Sequence, residues 1–152
     1  MNRSKIGFIF LCVGAGVAIF TALAHVSCIF LGEGCYRSQM APEFIIRSAE
    51  NGTLLAPAGT IIVSLLFLFC GLYALSAANV TVRLPLLNVA MYSISTLCIL
   101  RGLATIPLAV AFPEVVGAFV IISGAIWFLN GVLFLFGFRL RKNVMSELPV
   151  AP

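Results

Sequence analysis

The chain reads as an all-α integral membrane protein, a four-helix bundle with a short amphipathic helix in its first extracytoplasmic loop. Three observations predict this. Hydrophobic residues make up 62% of the 152 positions and charged residues only 9%, a balance foreign to soluble domains. The apolar residues gather into four runs of spanning length, where about 20 residues cover a hydrocarbon core of about 30 Å. Charged side chains stand at the ends of those runs, except for Arg101, which lies well inside the third.

A mean hydropathy of +1.16 and a length of 152 residues predict one membrane domain over 1–152, with spans at about 6–32, 58–78, 85–112 and 115–138. The net charge of +4 comes from cations scattered at the run ends, with no patch for nucleic acid.

The first run is too long for a signal-peptide core and is read as a retained span. On the side of His25, steps of three, four and seven give Gly14, Ala18, Thr21, Ala22, Cys28, Ile29 and Gly32. Small residues of this kind let a second helix approach closely, so His25 is expected to point at protein rather than lipid.

The polar connection from Glu33 to Leu55 carries Glu33, Glu43 and Glu50 with Arg37 and Arg47. Ala41-Pro42-Glu43 begins a short helix, with proline near the first turn and an acid on the positive end of the helix dipole, and Asn51-Gly52 ends it. Phe44, Ile45 and Ile46 make this helix apolar enough to lie on the membrane surface or on the bundle; an ordinary loop with a buried plug is the alternative.

In the second run Ser64, Gly71 and Ala78 recur every seven positions, and Pro57 stands where the helix begins. The third run is interrupted by Pro107 and divides its polarity. Asn88, Tyr92 and Ser95 share one side, and Ala90, Ile94, Leu97, Cys98, Ala104, Thr105 and Leu108 the side of Arg101. Pro113-Glu114 is so short a connection that the third and fourth spans must be antiparallel neighbours. Gly117, Gly124 and Gly131 repeat at sevens along the fourth, whose polar-tipped residues are Trp127 and Asn130.

Arg3, Lys5, Arg83, Arg139, Arg141 and Lys142 fall on one side of the four spans and Arg37 and Arg47 on the other, so both termini are expected to be cytoplasmic. The first loop is then extracytoplasmic, where a Cys28–Cys35 disulfide is chemically permitted; Cys12, Cys70 and Cys98 sit in apolar runs and behave as small hydrophobes.

Counting inward from the helix ends places His25 and Arg101 at similar depth in the outer half of the bilayer, with Glu33 a little above. A candidate polar pocket therefore comprises His25, Glu33, Glu43, Arg101 and Glu114, suited to an anionic headgroup or a proton relay. The alternative is structural: Arg101 neutralised by Glu33, Glu43 or Glu114 to hold the loop down.

A lone histidine excludes an intrachain bis-histidine haem and argues against a metal site. There is no Cys-x-x-Cys pair, no Asp or Glu within a span and no nucleotide-binding glycine motif. No catalytic residue, cofactor or metal is predicted. The expected function is a non-enzymatic component that binds a membrane lipid headgroup or a partner membrane protein through this outer-leaflet polar pocket, with homo-oligomer formation also open. A small transporter, channel or membrane enzyme using His25 and Arg101 is the alternative.

Ala41-Pro42-Glu43 through Gly52-Thr53, Ala56-Pro57, Gly59-Thr60, Tyr73-Ala74-Leu75-Ser76, Leu84-Pro85-Leu86 and Arg101-Gly102-Leu103 together resemble small uncharacterised four-span membrane proteins of bacteria. The resemblance covers most of the chain. It implies the fold and an address in the bacterial inner membrane, and carries no activity.

Overall fold

The computed structural model describes residues 3–114 and 116–146, with side chains through Lys142. These residues form seven helices and no strand: α1 (Arg3–Leu31), α2 (Glu33–Ser38), α3 (Glu43–Glu50), α4 (Leu55–Ala77), α5 (Leu87–Leu103), α6 (Thr105–Ala111) and α7 (Ala118–Ser146). Four stretches are long and apolar enough to cross a membrane: α1, α4, α5 with α6 (Leu87–Ala111), and α7 as far as Lys142. Only 22–33% of each apolar stretch is buried, so large apolar side chains cover much of the outside, a balance compatible with a membrane protein.

The chain divides into two compact units, Ala18–Phe69 and the remainder, Met1–Val17 with Cys70–Pro152. In the larger unit, glycines bring helices into backbone contact. A methyl group on Gly102 of α5 would stand 2.5 Å from the Phe128 Cβ and 2.7 Å from the Gly124 carbonyl oxygen of α7. One on Gly131 would stand 2.8 Å from the Ser95 carbonyl oxygen. The seven-residue spacing of Gly124 and Gly131 is therefore the seam on which α7 meets α5, while Gly117 precedes the helix. The start of α1 packs on α7 in the same manner, with Gly14 against Asn130 and Phe134. Leu11, Met91, Ser95 and Phe134 are fully buried at this core.

The boundaries and the number of helices depart from the sequence expectation. The third span breaks at Ala104, one turn before Pro107, because Pro107 has no N–H for the Leu103 carbonyl and its ring crowds that oxygen. The fourth helix runs to Ser146 rather than ending at Phe138: Arg139, Arg141 and Lys142 are good helix formers and continue it past the apolar stretch. The polar connection holds two helices, and α2 was not foreseen.

Basic side chains close one end of this unit. Arg141 of α7 donates to the Ala78 carbonyl at 2.9 Å and to the Ser4 hydroxyl at 3.1 Å, and lies 6.0 Å from the Phe8 ring centroid. It thereby occupies an orphan carbonyl at the end of α4, where a cation also suits the helix dipole. Asn79 takes a left-handed conformation (φ +59°) and stops α4, and the Ser76 hydroxyl accepts from the Leu84 N–H at 2.9 Å to hold the turn that follows.

Candidate functional site

In the smaller unit a cap is built over the end of α1 and the start of α4. Gly32 turns the chain at φ +75°, a conformation that favours glycine, and α2 folds back so that Cys35 joins Cys28 in a disulfide, with Cα atoms 5.1 Å apart. The Tyr36 hydroxyl meets the Thr60 hydroxyl at 3.0 Å, and Thr60 donates to the Ala56 carbonyl at 2.8 Å. Gln39 donates to the Ala24 carbonyl at 3.0 Å. Cys28, Tyr36, Ile46 and Ala56 form a buried cluster. Within α3, Ile46 and Ser48 are buried while Glu43, Phe44, Arg47 and Glu50 are exposed. The buried Ser48 hydroxyl accepts from the Ala56 N–H at 2.8 Å, supplying one of the partners that the first turn of α4 lacks.

His25 lies half-buried in this unit. Its Nδ1 is 2.9 Å from the Thr21 carbonyl oxygen, so that nitrogen carries the proton in the neutral ring and Nε2 is left as an acceptor. The ring stands edge-on to Phe67, centroids 5.2 Å apart at 61°. Its carboxylate neighbours in sequence are occupied elsewhere or exposed. Glu43 pairs with Arg47 at 3.4 Å, one helical turn along, Glu50 pairs with Arg37, and Glu33 is exposed in the first turn of α2. Among the described residues His25, Glu33 and Glu43 make no hydrogen bond or ion pair with one another.

Arg101 and Glu114 belong to the larger unit. Glu114 is exposed in the turn after α6. Arg101 is exposed near the middle of the third span, and within its own unit it forms no ion pair among the described residues. Around it Ala90, Ile94, Leu97, Arg101, Ala104 and Leu108 alternate steps of four and three, which is the spacing of a left-handed helix-packing seam. Leu97 is 66% and Leu108 43% exposed, Ala104 is exposed, and Ala90 and Ile94 are half-buried, so among the described residues this seam leaves a charge and apolar knobs open from Leu97 onward. At the centre of a membrane-spanning helix a charge costs roughly 2.5–3.5 kcal/mol on insertion scales.

An apolar groove of about 480 Å³ also opens between α5 with α6 and α7, lined by Leu103, Ile106, Val110, Ile121, Ala125 and Phe128. At about 100° per residue Leu103, Ile106 and Val110 point away from the Arg101 side, so the groove and the cation are separate features.

Two polar groups stand out beyond the expected set. Asn130 is 1% exposed, and neither its amide nitrogen nor its oxygen has a hydrogen-bond partner among the described residues; the Ser64 hydroxyl is buried in the same condition. Their signal in the sequence was a lone polar residue inside an apolar run. Among the described residues no three His, Cys, Asp or Glu side chains converge as metal ligands. Comparison with known proteins finds no matching family model, no matching curated protein and no matching solved structure.

Proposed function

We propose that this chain is a non-enzymatic, multi-pass component of the bacterial inner membrane that works by binding an anionic group, carried by a lipid headgroup or by a partner membrane protein. In this reading the four apolar stretches insert as a bundle with both termini cytoplasmic, an orientation supported by Arg3, Lys5, Arg83, Arg139, Arg141 and Lys142 at one set of ends. The disulfide-tied cap then faces the extracytoplasmic side, and α3 lies at the interface with Phe44 toward lipid.

The observation that carries the proposal is Arg101, exposed inside an apolar span without a counter-charge in its own unit. Extraction into native-lipid nanodiscs, followed by mass measurement of what is retained, tests it. The wild-type chain should keep an anionic lipid or an acidic partner that Arg101→Gln loses. Identical complements in the two proteins would contradict it.

A further inference from the structure

Resting on that binding role, we infer that the anionic group is a carboxylate in a membrane-spanning helix of a different protein, docked along the Arg101 seam. Depth favours a protein source over a lipid. At ~1.5 Å per residue Arg101 lies about 15 Å from the Ala111 end of its span and about 21 Å from the Leu87 end, close to the middle of a core of about 30 Å. Side chains lean toward the start of their helix, which turns the guanidinium away from the nearer surface. A lipid phosphate would meet it only by thinning the bilayer.

A second copy of this chain does not fit either. Its acids are Glu33, Glu43, Glu50, Glu114 and Glu147, none of them within the four apolar stretches, and a parallel pair would set two Arg101 side chains against each other. What fits is an apolar helix with one Asp or Glu at mid-depth. Ala90 and Ala104 permit close approach, Ile94, Leu97 and Leu108 supply the knobs, and Arg101 takes the polar core position that selects the partner.

The test uses the full chain in phosphatidylcholine vesicles with a labelled synthetic span of Leu and Ala carrying a single central Glu, and energy transfer as the readout. The Glu span should associate at least ten-fold more tightly than the same span carrying Gln. That preference should vanish in Arg101→Gln, persist in Arg101→Lys, and weaken in Ala104→Trp, with helical content unchanged in each. Equal association of Glu and Gln spans, or a preference that survives Arg101→Gln, overturns the inference. So does energy transfer between two copies of the chain that Arg101→Gln abolishes. Vesicles containing phosphatidylglycerol separate the two levels. Arg101-dependent enrichment of that lipid without any preference among spans would sink the inference and leave the broader binding role standing; absence of both would remove the two together.

Discussion

Gly7 of α1 and Gly137 of α7 meet backbone to backbone: a methyl group on Gly7 would stand 2.8 Å from the Gly137 carbonyl oxygen, and one on Gly137 3.1 Å from that of Gly7. Apolar side chains gain little by leaving lipid for protein, so closeness of approach is what holds such helices together. Gly7→Val should therefore destabilise the protein by about 1–3 kcal/mol, read as a lower midpoint in detergent unfolding. Gly16, with open space around it, is the control: Gly16→Ala should be neutral or stabilising by up to about 1 kcal/mol.

Arg141 ties α7 to the Ala78 carbonyl and to Ser4 with separate guanidinium nitrogens. A lysine keeps the charge but not the planar fork. Arg141→Lys should cost on the order of 1 kcal/mol, and a thermal midpoint equal to the wild type would show that the two bonds carry no stability.

Ser48 and the disulfide secure the cap by different means. Ser48→Ala removes the acceptor of the Ala56 N–H and should cost about 1 kcal/mol. Reduction of Cys28–Cys35 reopens a short loop and should cost roughly 2–3 kcal/mol by chain entropy. Thermal melting with and without reductant checks the second, and a double treatment checks whether the two losses add.

Orientation is tested by thiol labelling of intact cells. A membrane-impermeant maleimide should label Cys28 or Cys35 only after reduction, and a cysteine placed at Arg83 only after the membrane is opened. The reverse pattern would invert the proposed topology.

The four apolar stretches and the Gly124–Gly131 seam were legible because length, composition and small-residue spacing are one-dimensional signals. Helix α2 was not, since Glu33 to Ser38 has no apolar stripe and is held by the disulfide and by Tyr36 reaching Thr60. The Gly7–Gly137 crossing was missed for another reason: spans apolar all round show no preferred face, and only the partner helix reveals which glycine matters. At the candidate site, the expected pairing of Arg101 with Glu33, Glu43 or Glu114 is not among the ion pairs of the described residues. Glu43 instead pairs with Arg47 one helical turn along, a local contact that i,i+4 spacing makes legible in the sequence.

The most direct measurement is the depth of residue 101 itself. In a chain with Cys12, Cys70 and Cys98 replaced and the disulfide kept, a spin label at Arg101→Cys reports collision with oxygen, which concentrates in hydrocarbon, and with a water-soluble nickel chelate. The account predicts relaxation dominated by oxygen, at a depth near the bilayer centre, with an Arg83→Cys label dominated by the chelate. Chelate-dominated relaxation at position 101 would contradict it, because an arginine in water needs no partner and the seam around it would have no charge to satisfy.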